Sequence, residues 1–98
     1  MDFVYEDERI YSTDDDQRLL AEVTMPRRDD KRTDIDHVYV DESLRGQGLA
    51  STLMEMAYDR IKDEGKKIVA KCPYAIDWFK KHPEYQDIVI NVKTKNKR

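Results

Sequence analysis

The fold is decided by the stretch VYVDESLRGQGLA, residues 38–50. Its first three residues are β-branched or aromatic, which favours a strand. Gly46 and Gly48 then remove side chains where the backbone has to turn tightly. Beyond the turn the apolar residues recur at helical spacing; they are Leu49, Leu53, Met56, Ala57 and Ile61. The stretch therefore predicts a strand, a glycine-rich turn and the start of the longest helix.

A glycine-rich turn that leads into a helix has an electrostatic consequence. The first N–H groups of the helix have no intrahelical partner, and they lie at the positive end of the helix dipole. Together they favour binding of an anion such as phosphate. The plainer interpretation is a strand–loop–helix connection whose glycines serve only the turn. The local pattern leaves both interpretations open.

Size and composition indicate a single folded domain. The chain has 98 residues, which is enough for one hydrophobic core. Its net charge of −3 offers no general attraction to nucleic acid or to an anionic membrane. No apolar run has transmembrane length, and the first residues lack the basic region of a signal peptide. The single cysteine, Cys72, fits neither an internal disulfide nor a metal-ligand spacing. We therefore expect a cytoplasmic protein with a reduced thiol and no metal.

The residues ahead of the glycine turn predict a meander of short strands. One of these strands alternates apolar and polar residues, which places one face in the core; the core face consists of Leu19, Ala21, Val23 and Met25. Three consecutive aspartates mark a solvated turn. The predicted segments are strands at residues 3–5, 9–11 and 18–25, the aspartate turn at 14–16, a hairpin loop at 26–33 and a strand at 34–40.

The residues after the turn predict a helical crossover and a second helix. The first helix, residues 47–64, is followed by Gly65, which can adopt the left-handed conformation that closes a helix. An apolar strand at residues 68–72 comes next, and a strand–helix–strand sequence of this kind forms a right-handed parallel βαβ unit. Pro73 suits the first position of a second helix, which His82-Pro83 ends.

The predicted fold is α+β with α/β-like character. It has a mixed antiparallel and parallel central sheet, a βαβ crossover and two helices, with a last short strand at residues 88–90. We expect one domain over residues 1–92 and a flexible basic tail over residues 93–98, which contain lysine and arginine but little apolar content.

The segment RGQGLA, residues 45–50, resembles the coenzyme A pyrophosphate loop of the GCN5-related N-acetyltransferases (GNAT). The family signature is Arg or Gln, two residues, Gly, one residue, then Gly or Ala, and here Arg45, Gly48 and Ala50 occupy those places. The resemblance extends over residues 19–89. It is closest to a subgroup of very small members that share His37, the RGQG run, Cys72-Pro73-Tyr74 and the HPEY run at residues 82–85.

This resemblance implies that acetyl-CoA is the co-substrate and lies against two splayed parallel strands. The pyrophosphate would bind the loop amides with help from the Ser51 hydroxyl, and the pantetheine arm would pair with the strand before the loop. The thioester would then point toward residues 68–72. The implied cofactor-binding residues are Val38, Tyr39, Val40, Arg45, Gly46, Gln47, Gly48, Leu49, Ala50 and Ser51.

The resemblance also indicates what this chain lacks. Full-size family members have helices between the first two strands that cover the acceptor site, whereas residues 12–17 are too few to form them. We therefore expect an open acceptor side. Such a site suits an exposed amine on a protein or peptide, or a loosely held small amine.

Three residues are candidates for the chemistry of acetyl transfer. His37 is a candidate base for deprotonating an ammonium, since histidine is the common general base near neutral pH, or it is a structural histidine within the sheet. Cys72 precedes Pro73 at a helix N-terminus, where the dipole favours a thiolate; it is a nucleophile, a pocket thiol or a small buried hydrophobe. The resemblance implies that Tyr74 protonates the CoA thiolate, and a packed core tyrosine is the alternative. Trp78 is assigned to packing by its helical spacing.

The predicted function is an acetyl-CoA-dependent N-acetyltransferase in which an amine attacks the thioester directly. We expect a monomer or a weak dimer, with an amine acceptor whose identity the sequence does not give. A non-catalytic acyl-CoA-binding or sensing module stays open as the alternative. The two differ in whether free CoA is released when an amine is supplied.

Overall fold

A computed structural model describes residues 1–92 of the chain, so the predicted tail at residues 93–98 lies outside the described residues. Within that range there are six strands and two α-helices. In chain order they are β1 Val4–Glu6, β2 Arg9–Thr13, β3 Leu19–Thr24, β4 Arg32–Ile35, β5 His37–Val40, α1 Leu49–Asp63, β6 Lys67–Ala70 and α2 Pro73–Lys81. None of these helices is long and apolar enough to cross a membrane.

The strands form two sheets, one antiparallel and one parallel. Strands β1, β2, β3 and β5 lie side by side in that order, with every neighbouring pair antiparallel. Strands β4 and β6 form a separate parallel pair that is connected through α1. The predicted meander and the predicted parallel βαβ crossover are therefore both confirmed.

The prediction for the strand that leads into the glycine turn is wrong. Residues 34–40 were expected to form a single strand, but the strand is interrupted at Asp36. The first half belongs to β4 and pairs with β6, whereas the second half is β5 and pairs with β3. Two hydrogen bonds to Thr24 of β3 hold the interruption in place. The Asp36 N–H donates to the Thr24 carbonyl (3.2 Å), and the Asp36 carboxylate accepts from the Thr24 hydroxyl.

This interruption opens a gap between the two sheets. The parallel pairing of β4 with β6 ends at Ile35 and Ala70, and the following bond runs from the Lys71 N–H to the Ile35 carbonyl (2.8 Å). Beyond that point β5 follows β3 and β6 continues into α2. Strands β5 and β6 therefore diverge beyond this point, as the family resemblance implies for the two splayed strands.

The core lies between the sheets and the helices. Alternate residues of the antiparallel sheet are fully buried on one face, including Ile10, Ala21 and Val23. Helix α1 covers this face with a buried stripe, and its members are Leu53, Met54, Ala57, Tyr58 and Ile61. Burial of this stripe is what holds the crossover helix against the strands.

The two ends of α1 both depend on glycine. Gly48 is the N-cap residue in the left-handed conformation, with φ of +79°. The helix therefore begins at Leu49, two residues later than predicted. At the other end Gly65 has φ of +74°, and its N–H donates to the Lys62 carbonyl (2.9 Å) while the Lys66 N–H donates to the Ile61 carbonyl (3.1 Å). This pair of bonds is a Schellman motif, so the predicted closure at Gly65 is confirmed.

Helix α2 begins as the sequence predicts. Cys72 is the N-cap residue, and its Sγ accepts a hydrogen bond from the Ala75 N–H (3.3 Å). Pro73 occupies the first helical position, where its missing N–H costs nothing. The helix ends at Lys81, immediately before His82-Pro83.

The predicted strand at residues 88–90 is reduced to a bridge. Only Val89 pairs with Ile68, through bonds in which Ile68 donates to Ile88 and accepts from Ile90. The Asn91 side-chain amide then continues the pairing, because it accepts from the Ala70 N–H (2.9 Å) and donates to the Ala70 carbonyl (2.7 Å). A side chain thus substitutes for strand backbone at this edge of β6.

Candidate functional site

The glycine turn is built by a short 3₁₀ turn, Glu42–Leu44, which follows β5. The Arg45 N–H donates to the Glu42 carbonyl (3.3 Å), so this amide is used within the turn. The backbone then passes through the left-handed region at Gly46 (φ +86°) and again at Gly48. The donors available to an anion therefore start at Gly46 rather than at Arg45.

The start of α1 is an N-terminus without a side-chain cap. Gly48 provides no capping group, and the first turn contains no acidic residue. The Thr52 N–H makes the first bond back to the Gly48 carbonyl (3.0 Å). The N–H groups of Leu49, Ala50 and Ser51 precede that bond and point out of the helix. This arrangement suits a negatively charged ligand.

The strand ahead of the turn presents backbone groups to the gap. The Asp41 N–H donates to the Leu20 carbonyl (2.7 Å), and the ladder alternates from that pair. The backbone groups of Tyr39 therefore face β3, and those of Val38 and Val40 face the opposite edge. From that edge the Arg45 Nε donates to the Val40 carbonyl (3.0 Å). Within residues 1–92 β5 is the last strand of its sheet.

The loop and the strand edge line one groove. It consists of two adjoining cavities of about 150 and 280 Å³, which share Val40, Arg45, Ala50 and Tyr74. The smaller cavity follows the loop and the larger one follows β5. The remaining lining residues are Leu44, Gly46, Gly48, Leu49 and Ser51 around the smaller cavity, and Val38 and Tyr39 around the larger one.

Tyr74 is the candidate for chemistry that lies in this groove. Its side chain lines both cavities and is 41% exposed. Partial burial raises the pKa of the Tyr74 phenol above its ordinary value, and the nearby Asp77 and Cys72 raise it further. A phenol with a raised pKa stays protonated at neutral pH. It can therefore donate a proton, which a general acid has to do.

The other two candidates lie outside the groove lining. Cys72 is half-buried, packs against the core and is engaged as the helix cap. His37 is exposed on the other face of the antiparallel sheet, where it stands opposite Thr24 in the ladder. That face is open along its length, since residues such as Tyr11, Glu22 and Thr24 keep part of their surface exposed while the alternating residues are buried.

Two residues that the sequence does not assign to the site line it or bond to it, and one predicted cofactor-binding residue lines neither cavity. Leu44 lines the loop cavity, and it is the apolar residue of an otherwise polar turn. The helical spacing of Trp78 predicts core packing, and its indole N–H also donates to the Ser51 hydroxyl (2.8 Å). Gln47 is exposed and lines neither cavity.

Two further observations concern other possible sites among the described residues. A wider depression of about 710 Å³ lies on the far half of α1, lined by Tyr5 of β1, Met56 and charged residues, and no residue of the glycine turn lines it. Across residues 1–92 no group of three or more His, Cys, Asp or Glu side chains is placed to hold a metal ion.

Comparison with known families identifies the class of protein. The sequence model of the GCN5-related N-acetyl-transferase family matches residues 9–88, which is most of the chain. The protein therefore belongs to the GCN5-related N-acetyltransferase family. No curated protein matches the sequence.

Solved structures share the fold. A GCN5-like protein from Staphylococcus aureus, solved by NMR, is 28% identical with a TM-score of 0.78, and the match covers 94% of this chain and 90% of that chain. Escherichia coli YhbS, a GNAT-family N-acetyltransferase solved in complex with CoA, is 26% identical with a TM-score of 0.54 over 63% of this chain and 38% of that chain. Tetrahymena GCN5 is 13% identical with a TM-score of 0.60 over 91% of this chain and 62% of that chain, a likeness of fold alone. The predicted GNAT fold is confirmed, while the Cys-Pro-Tyr subgroup stays a prediction.

Proposed function

We propose that the protein is an acetyl-CoA-dependent N-acetyltransferase acting on an exposed amine. The observation that carries this proposal is the continuous groove formed by the edge of β5, the glycine-turn amides and Tyr74. Family membership and the CoA complex of YhbS support the same cofactor.

The groove suggests how each part of acetyl-CoA binds. The diphosphate would accept hydrogen bonds from the amides at Gly46 and at the start of α1, with the Arg45 guanidinium near the same cavity. The pantetheine amides would pair with the backbone of Val38 and Val40 as an added strand. The thioester would then reach the gap between β5 and β6.

The reaction needs an amine, an oxyanion donor and a proton for the leaving thiolate. The amine nitrogen attacks the thioester carbonyl, the carbon–sulfur bond breaks, and the sulfur takes a proton. Tyr74 is suited to supply that proton, since its phenol stays protonated at neutral pH and lines the groove. The amine would lose its proton to solvent or to His37.

The acceptor would approach over the open face of the antiparallel sheet. Residues 14–18 form a tight turn between β2 and β3, closed by the Asp14 N–H to the Arg18 carbonyl (3.0 Å), and provide no helices that could cover this face. His37 is exposed on this open face, where it stands opposite Thr24. An uncovered face of this kind favours an amine on a protein or peptide surface over an enclosed small molecule.

The proposal predicts acceptor-dependent release of CoA. Purified protein is incubated with acetyl-CoA and a panel of amines that includes lysine-containing peptides, peptide N-termini and polyamines, and free thiol is measured. Release above the rate without amine supports the transferase. Tight CoA binding with no amine-dependent release would contradict it and favour a non-catalytic acyl-CoA-binding module.

The role of Cys72 is tested separately. Because its sulfur caps α2 and lines neither cavity, we propose direct attack by the amine without an acetyl-cysteine intermediate. Serine is a good helix cap, so Cys72→Ser should keep both fold and turnover. An acetyl adduct on Cys72 in the mass spectrum, together with loss of turnover in Cys72→Ser, would contradict direct attack.

A further inference from the structure

The side chain of Trp78 connects the aromatic cluster of the core to the loop cavity. Trp78 lies in the middle of α2 and is 4% exposed. Its indole N–H donates to the Oγ of Ser51, which lies in the first turn of α1 and lines the cavity between the glycine turn and Tyr74. This bond spans the two helices and ends at the groove.

The indole is held in one orientation from several sides. The His82 ring stacks on it with a centroid separation of 4.1 Å and an interplanar angle of 17°. Phe79 and Tyr85 contact it at centroid separations of 5.3 and 5.0 Å. The His82 ring is fixed in turn, since its Nδ1 lies 2.7 Å from the Trp78 carbonyl oxygen. An indole packed in this way directs its N–H to a fixed point.

The direction of this hydrogen bond determines what the Ser51 hydroxyl can do. An indole nitrogen only donates, so Ser51 Oγ must act as the acceptor. The hydroxyl hydrogen is then left for another partner. The Ser51 side chain lines the same cavity as Leu49 and Ala50, whose N–H groups point out of the start of α1. A serine oriented in this way is a donor suited to an anion.

We propose that Trp78 is a positioning residue for the cofactor: its N–H orients Ser51 so that the hydroxyl donates to the diphosphate of CoA. The inference rests on the proposed function, since it assigns a ligand to the same groove. It adds a core residue, outside the groove lining, to the determinants of CoA affinity. It also implies that Ser51 and Trp78 act as one unit.

The test is a double-mutant cycle on CoA affinity, measured by calorimetry. Ser51→Ala should weaken CoA binding about tenfold, the cost of one hydrogen bond to a charged group. Trp78→Phe keeps an aromatic ring but removes the N–H, and it should weaken binding about threefold to tenfold by leaving Ser51 free to rotate. The double variant should be no weaker than Ser51→Ala, since each change removes the same interaction.

Two controls separate positioning from general damage. Thr52→Val removes the hydroxyl next to Ser51 in α1, which donates to the Gly48 carbonyl. This variant should leave CoA affinity unchanged. Pantetheine has the thiol arm of CoA but no diphosphate, so its affinity should be the same in wild type, Ser51→Ala and Trp78→Phe. A merely structural role of Trp78 would weaken both ligands alike.

If Trp78→Phe does not fold, the single tryptophan allows an isosteric replacement. Growth on 3-benzothienylalanine replaces the indole N–H by sulfur and keeps the shape, and it should weaken CoA but not pantetheine. The inference is overturned if CoA binds the wild type while Trp78→Phe or the isostere binds equally well, or if the losses are additive. Absence of CoA binding in the wild type would instead overturn the proposed function.

Discussion

Both ends of α1 have a glycine in the left-handed conformation, yet the backbone groups at the two ends differ in their hydrogen bonding. At the C-terminal end Gly65 directs the backbone into two bonds that satisfy the last carbonyls, and Arg60 and Lys62 in the last turn match the negative pole. The wide depression on this half of the helix contains no unused helix terminus. This end is closed within the chain itself.

At the N-terminal end the same conformation leaves the helix open. Gly48 provides no cap, the first turn has no acidic residue, and the groove lies directly against it. Helix α2 provides a second contrast, since its N-terminus is capped by the Cys72 sulfur. We therefore propose that a ligand binds at the open end. Gly65 is structural because its neighbours pair locally, whereas Gly48 leaves donors available beside a cavity.

The largest expected effect concerns the chemistry at the open end. Tyr74→Phe removes the proposed proton donor and should lower kcat by about a hundredfold or more, with little change in KM for acetyl-CoA. Tyr85→Phe is the matched control, because Tyr85 packs against Trp78 and Tyr58 away from the groove. A steady-state thiol-release assay measures both variants. Equal activity of Tyr74→Phe and wild type would remove Tyr74 from the mechanism.

Substitution of Gly48 and of Gly65 tests directly whether the two ends of α1 differ in cofactor binding. A Cβ built at Gly48 or at Gly65 meets no protein atom within 4 Å, and both positions have positive φ. Valine at either position should therefore cost about 1–2 kcal/mol of stability through backbone strain alone. Only Gly48→Val should also weaken CoA, by about tenfold or more, since its side chain would occupy the diphosphate position. Calorimetry on both variants, after a melting curve for each, measures the difference. Equal CoA affinities in the two variants would show that the open end is not the binding end.

A smaller effect is expected at the strand edge. Val38→Pro removes an N–H that points away from β3, a change that an edge strand tolerates. It should keep the fold and raise KM for acetyl-CoA about fivefold, the cost of one neutral hydrogen bond. Tyr39→Pro removes an N–H that faces β3 and should instead destabilise the sheet. An unchanged KM in a folded Val38→Pro variant would exclude pairing of the pantetheine arm with β5.

The smallest effect concerns the closed end and depends on pH. The pKa of Asp87 lies below its ordinary value because the Lys62 ammonium (2.8 Å) and then the Tyr58 hydroxyl donate to its carboxylate. A carboxyl with a lowered folded-state pKa stabilises the fold above its unfolded pKa of about 3.9, and this stabilisation is lost as pH falls through the folded pKa. Asp87→Asn should therefore lower Tm at pH 7, on the order of 2 °C, and match wild type near pH 2. Thermal melts at both pH values measure this. The same Tm difference at pH 2 would assign the loss to packing.

Local chemistry made much of this molecule predictable. The alternation in β3, the glycine after α1 and the proline at the start of α2 each determine a structure through neighbours a few residues away. The pyrophosphate-loop pattern likewise placed most of the groove lining, because a strand, a turn and a helix start are contiguous in sequence. Cys72 as the cap of α2 follows from the same local reasoning.

Other features could not be predicted because they depend on distant partners. The interruption at Asp36 results from two strands, β3 and β6, that pair with successive halves of one β-prone run. The polar pair Asp36-His37 was the available signal. The bond from Trp78 to Ser51 joins residues 27 positions apart, and periodicity shows only that the indole faces inward. The face on which His37 lies follows from its pairing with Thr24, a residue of β3 that is distant in the sequence.

The central claim is that the open end of α1 binds the cofactor and the closed end does not. The chain contains three glycines, two at the open end and one at the closed end. In a ¹⁵N-resolved NMR titration with CoA, the amide signals of Gly46 and Gly48 should move together with those of Leu49 and Ala50, while the Gly65 signal stays in place. Stationary signals from Gly46 and Gly48 at saturating CoA would contradict the account.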